Sequence, residues 1–201
     1  DRACAMNEEA LALTGPLGVL RGIRHRPVCA EPACTAILLQ GYYSSTHVGP
    51  ARLYVQMARC LAARGFEVWR MDPYGVGDSD GEFEEASYAS QLADYRALLG
   101  AARSRAPGQP LLLVGHSLGV SLALRLAVET AEVRGLLMVS PSCGPPSHRE
   151  NVFSPGEWTE LMERGVTLRK SVRVRRSFLE AMETEEIYAV ARRVTVPAVV
   201  F

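Results

Sequence analysis

Short apolar runs alternate along the chain with longer segments whose apolar residues recur every three or four positions. A near-continuous apolar run reads as a strand buried on both faces, and the three-to-four spacing reads as a helix with one buried side. Strands are therefore predicted at Leu11 to Thr14 and Val19 to His25, around the turn Gly15-Pro16-Leu17-Gly18, and at Ala36 to Leu39, Phe66 to Met71, Leu111 to Val114 and Val133 to Ser140. Helices are predicted over Ala51 to Arg64, where Leu53, Val55, Met57, Ala58, Leu61 and Ala62 make one face and Gly65 closes the end. Two more are predicted over Ser87 to Arg105, with the stripe Leu92, Tyr95, Leu98 and Leu99, and over Val120 to Val128. Asp1 to Ala10 carries no pattern, and Val196 to Phe201 reads as the first residues of a further buried strand.

Strand and helix in regular alternation predict an α/β fold, a doubly wound, mostly parallel sheet covered on both faces and wound with right-handed crossovers. Between Pro141 and Thr195 the alternation stops. A proline-rich loop leads to a helix over Pro155 to Arg164, with Trp158, Leu161 and Met162 on one side, then a basic run to Arg176 and an acidic helical run over Phe178 to Val190. Residues 142–195 are read as a lid or cap within one domain spanning 1–201, lying where open α/β sheets bind ligands; a plain surface excursion is the alternative. The basic run is expected to be solvated or paired with Glu180, Glu183, Glu185 and Glu186, with an anionic substrate group as the other reading. Phe153, Trp158, Leu161 and Met162 hint at an apolar substrate part and would equally serve as core.

Composition narrows the class. The 201 residues suffice for one sizeable core, and 22 basic against 22 acidic residues offer no bulk charge for nucleic acid. No apolar run is long enough to span a bilayer, and no basic-then-apolar signal segment opens the chain. The five cysteines, Cys4, Cys29, Cys34, Cys60 and Cys143, are odd in number and fit no metal spacing. Cys29 and Cys34 could face each other across a loop, but free thiols and a cytoplasmic location are the expectation, with no metal and no organic cofactor. Oligomeric state is left open.

The chemistry concentrates at Gly115-His116-Ser117-Leu118-Gly119, between a strand and a helix. So tight a bend strains the backbone at Ser117 and needs neighbours without bulk, which Gly115 and Gly119 supply. Ser117 is lifted above the sheet at a helix N-terminus, where the dipole and amide groups favour developing negative charge. His116 cannot share that site from the adjacent position and is read as structural. Asp78 and Ser79 are expected to hold their loop by local hydrogen bonds, and His47 is read as a solvated loop histidine or a pocket-lining one.

Three blocks together resemble the α/β-hydrolase superfamily of serine hydrolases, in its esterase, lipase and serine-aminopeptidase branches. They are the Gly115 to Gly119 elbow, Asp72-Pro73-Tyr74-Gly75-Val76-Gly77-Asp78-Ser79 as the loop after the fourth strand, and Leu38-Leu39-Gln40-Gly41-Tyr42 where those branches carry His-Gly-aromatic. The likeness covers residues 11 to 201. Within the superfamily, Gly-Asp-Ser-Asp-Gly-Glu-Phe looks like cinnamoyl/feruloyl-esterase-type enzymes, and residues 77 to 118 look like hydrolases of exosortase loci. The resemblance implies Ser117 as nucleophile and the backbone N–H groups of Leu118 and Tyr42 as the oxyanion hole, with Gly41 allowing close approach. Gln40 replaces the usual histidine and is expected to order the loop by hydrogen bonding in its place.

The superfamily's chain order is Ser, then acid, then His. No aspartate follows Ser117, and the only histidine after it is His148, near Glu150. Glu150 is a conceivable acid; His148 as base would depart from the family's pattern. The acid and histidine are therefore expected beyond Phe201, in a chain read as C-terminally truncated, inactive alone and prone to aggregate along an exposed apolar edge. The implied activity is cleavage of a carboxylic ester, thioester or amide of a small-molecule acyl substrate, through an acyl-enzyme on Ser117. The alternatives are an acyltransferase on the same scaffold and a non-catalytic binding module.

Overall fold

A computed structural model describes residues 6–28, 31–42, 46–142, 152–183 and 187–201. Two strands, β1 (Met6–Thr14) and β2 (Val19–Pro27), form a hairpin ahead of β3 (Cys34–Leu39). The core then alternates: α1 (Leu53–Ala62), β4 (Phe66–Met71), α2 (Tyr88–Arg105), β5 (Leu111–His116), α3 (Leu118–Glu129) and β6 (Val133–Val139). Short 3-10 turns at Pro50–Arg52 and Phe83–Glu85 precede α1 and α2. An excursion of α4 (Pro155–Arg164), the strands β7 (Val166–Arg169) and β8 (Val172–Arg175), α5 (Arg176–Glu183) and α6 (Ile187–Ala191) separates β6 from β9 (Ala198–Val200).

Seven strands share one sheet in the order β1-β2-β4-β3-β5-β6-β9. The pairs β1–β2 and β2–β4 are antiparallel and the remaining four are parallel, which is the doubly wound, mostly parallel sheet that the alternation predicts. In the central strands successive side chains feed opposite faces. Ala36, Leu38, Val68 and Val114 pack under α1 with Tyr54, Ala58 and Ala62. Ile37, Leu39, Trp69, Met71, Leu111 and Leu113 meet α2 and α3, through Tyr95, Leu98, Leu122 and Leu126. The C-terminal ends of β3, β4 and β5 therefore emerge side by side.

Three local expectations change. The unpatterned N-terminus is strand from Met6 on, pairing with β2 all the way to Pro27. Its polar residues hid it: Glu9 pairs with Arg24 and Glu8 with Arg59, both at 2.6 Å, so charge holds this edge strand on both faces. The basic run is a hairpin, β7–β8, whose turn residues Lys170 and Ser171 both take left-handed backbone (φ 45° and 66°). That geometry suits a two-residue hairpin turn, but neither residue is one of its usual glycine or asparagine signals. The arginines pair mainly outside the acidic run: Arg173 and Arg175 with Glu84 (2.5 and 2.8 Å), Arg169 with Glu157 (2.6 Å) and Arg164 with Glu160 (3.3 Å). Among the described residues only Arg176–Glu180 (2.8 Å) joins the two runs. Cys4, Cys29, Tyr43, Cys143, His148, Glu150, Glu185 and Glu186 lie outside the described residues. No helix among the described residues is long and apolar enough to cross a membrane.

Candidate active site

The bend between β5 and α3 holds Ser117 at φ 52°, ψ −118°. A non-glycine residue there carries strain of roughly 1–3 kcal/mol, which the surroundings must hold in place. They do so through the Ser117 N–H, which donates to the Val139 carbonyl (3.0 Å), and the Val120 N–H, which donates back to the Ser117 carbonyl (3.1 Å). A Cβ on Gly115 would sit 2.7 Å from the Gly119 carbonyl oxygen. One on Gly119 would collide with the Leu39 carbonyl and lie 2.6 Å from that of Gln40. The two glycines thus let α3 start directly against the end of β3. Ser117 is half-buried, and Leu118 opens α3 with its side chain in the core, so its N–H belongs to the helix's first turn.

Register brings the second candidate donor alongside. Leu39 of β3 pairs with Gly115 of β5, so Gln40-Gly41-Tyr42 leaves the sheet level with Ser117. Two amides of that segment are committed to buried hydroxyls from opposite faces of the sheet. The Gln40 N–H donates to Tyr95 of α2 (3.1 Å), and the Gly41 N–H donates to Tyr54 of α1 (2.7 Å). Neither is available to a substrate, and Tyr42 is the next residue. Its ring is buried edge-on against Phe83 (centroids 6.2 Å apart) and against Phe178 of α5 (5.3 Å). Among the described residues the Gln40 side chain makes no hydrogen bond that orders the loop. It is buried, and its Oε1 has no hydrogen-bond partner among the described residues; the tyrosine hydroxyls hold the loop instead.

The far end of the loop is clamped to β4. Fully buried Asp72 accepts the His47 N–H (2.5 Å) and the Asp78 N–H (3.1 Å), and lies 2.6 Å from His47 Nδ1. The Arg70 guanidinium donates to the His47 carbonyl (2.9 Å) and to His25 Nε2 (2.8 Å). His47 is therefore a tethered residue and not a solvated one. Burial and the nearby Arg70 charge push the pKa of His25 down to about 4, so its ring is neutral near pH 7. Ser79 pins the next loop as expected, donating to the Asp72 carbonyl (2.6 Å) and accepting the Arg21 N–H (2.8 Å). Asp78 contributes only its backbone, its side chain being exposed, while Asp80 accepts the Val19 N–H (2.9 Å).

His116 Nδ1 lies 2.8 Å from the Tyr54 hydroxyl, and burial lowers its pKa. Sequence singles out neither the Tyr54 nor the Tyr95 hydroxyl. The signal for both is a tyrosine on the apolar face of a helix, whose hydroxyl needs a partner once buried.

A strained serine between strand and helix, beside the end of the neighbouring parallel strand, on a doubly wound sheet, defines an α/β hydrolase. The chain belongs to the serine aminopeptidase S33 family, which matches residues 37–184. Among solved structures, Est1E from Butyrivibrio proteoclasticus with ferulic acid bound superposes with a TM-score of 0.80 at 18% identity, over 95% of this chain and 77% of that one. A putative hydrolase from Agrobacterium vitis S4 gives 0.69 at 22% identity, over 96% and 78%. An esterase from Pyrococcus furiosus gives 0.70 at 17% identity, over 97% and 69%. No curated protein matches the chain.

Proposed function

We propose that the full-length protein is a serine hydrolase acting on a carboxylic ester of a small molecule, forming an acyl-enzyme on Ser117. The observation that carries it is the backbone of Ser117, held at φ 52° between two glycines that admit no side chain. Strain of this kind persists where the fold over-determines it, and here it presents a hydroxyl at the first turn of α3.

The steps follow from that placement. The Ser117 oxygen attacks the ester carbonyl carbon while a base takes its proton. The carbonyl oxygen, now negative, turns toward the N–H groups of Leu118 and Tyr42, worth about 3–4 kcal/mol for each donor lost. The intermediate collapses with loss of the alcohol, and water releases the acid. We assign the excursion over 142–195 as a lid, since α5 reaches the oxyanion loop through Phe178.

A fluorophosphonate probe on the full-length protein tests the nucleophile: labelling should map to Ser117 and vanish in Ser117→Ala. p-Nitrophenyl and feruloyl esters test the reaction. Acid released without any added alcohol supports hydrolysis, whereas product formed only with an acceptor alcohol overturns it.

A further inference from the structure

We propose that Tyr54 is a positioning residue that couples the nucleophile bend to the oxyanion loop, with His116 as its partner. The inference rests on the roles proposed above for Ser117 and Tyr42.

Tyr54 reaches both structures at once. Its hydroxyl takes the Gly41 N–H at 2.7 Å and lies 2.8 Å from His116 Nδ1. Gly41 directly precedes Tyr42, and His116 directly precedes Ser117. One side chain therefore ties together the backbones that carry the attacking oxygen and one of its two stabilising amides. A hydroxyl has a single proton. With the Gly41 N–H donating in, the Tyr54 hydroxyl and Nδ1 share one further hydrogen bond, which Tyr54 donates when the imidazole proton is on Nε2 and accepts when it is on Nδ1. The downward pKa shift of His116 on burial favours the neutral ring in either case.

The tyrosine is itself fixed. It is 2% exposed, and its ring meets the His116 imidazole nearly edge-on with centroids 5.6 Å apart. A Cβ on Gly49 would lie 2.6 Å from the ring, so the chain passes over Tyr54 at a point where only glycine fits. Gly49, Ala51 and Arg52, just ahead of α1, all take positive φ (75°, 47° and 61°). The loop is bent hard to bring Tyr54 under it.

A purely structural tyrosine would satisfy the buried Gly41 amide and affect folding alone. A coupling tyrosine sets the distance between attack and stabilisation, so its loss falls on kcat and not on KM. The test measures fluorophosphonate labelling of Ser117, and kcat and KM on a p-nitrophenyl ester, in the full-length protein. Tyr54→Phe should lower labelling rate and kcat by about 10- to 100-fold, with KM within about twofold. His116→Leu should match it. His116→Asn, whose amide can stand where Nδ1 stood, should return kcat to within about threefold of wild type.

A folded Tyr54→Phe variant with wild-type kcat overturns the coupling. So does equal loss in the Leu and Asn variants of His116, and that pair decides the matter should Tyr54→Phe not fold. Failure of the wild-type protein to label at Ser117 overturns the nucleophile assignment instead, before any variant is compared.

Discussion

The rings of Tyr42 and Phe178 meet edge to face, with centroids 5.3 Å apart and planes inclined at 70°. One belongs to the loop leaving β3 and the other to α5, so this contact joins the excursion to the segment that carries the candidate oxyanion amide. Phe83 completes the cluster, its centroid 5.2 Å from that of Phe178. Glu84, the next residue, holds Arg173 and Arg175 of β8. At the Phe83–Glu85 turn the excursion is thus held by an apolar and an ionic contact. The ionic one is largely exposed and worth little alone, so at this turn the rings hold more than the charges do.

Phe178→Ala should therefore destabilise the protein by about 3–5 kcal/mol, and Phe178→Leu, which keeps most of the volume, by less than about 1.5 kcal/mol. Urea midpoints measure both. Limited proteolysis should cut the β7–β8 hairpin faster in the alanine variant only. Equal midpoints for the two variants would show that the cluster does not anchor the excursion.

Strain at Ser117 predicts a trade between stability and chemistry. Ser117→Gly relieves the positive φ and should raise stability by about 1 kcal/mol while removing all probe labelling. Ser117→Ala removes the hydroxyl but keeps a Cβ in the same conformation, so its stability should stay within about 0.5 kcal/mol of wild type. If glycine and alanine gave equal stability, the bend would carry no strain.

What the sequence disclosed and what it hid divide by range. The bend at Ser117 was legible because its determinants, a strand, two glycines and a helix, lie within a few consecutive residues. The parallel core was legible because buried strands are continuously apolar. The hydroxyls of Tyr54 and Tyr95 were not, since each meets an amide far away in sequence, on an element that packs beside it only after folding. Only the second half of β1, from Leu11, was legible, because the half that carries Glu8 and Glu9 is held by charge and lacks an apolar pattern. The partner of Arg173 and Arg175 was missed because Glu84 is brought to them by the sheet and not by the chain.

Two buried groups make stability depend on pH in opposite directions. The pKa of His25 falls from an ordinary 6.5 to about 4, chiefly through burial, with Arg70 adding to it. The unfolded chain then binds its proton more readily, so this contribution is complete above pH 6.5 and is lost as pH falls toward 4. Asp94 on α2, whose Oδ2 accepts the Tyr74 N–H at 2.9 Å, rises from 3.8 to about 6 because it is buried. Here the folded chain binds the proton more readily, so the contribution is complete below pH 3.8 and is lost as pH rises toward 6. A tenfold difference in proton affinity between folded and unfolded chain corresponds to about 1.4 kcal/mol, so each group contributes roughly 3 kcal/mol, and between pH 4 and 6 the two nearly cancel. Asp94→Asn removes one and keeps an acceptor for Tyr74. Relative to wild type, its stability should therefore climb by roughly 2 kcal/mol from pH 4 to pH 6.5, since part of the Asp94 contribution is already gone at pH 4. Urea midpoints of the two proteins across that range, compared pH by pH, cancel every other titrating group. Parallel curves would mean that Asp94 is ionised throughout.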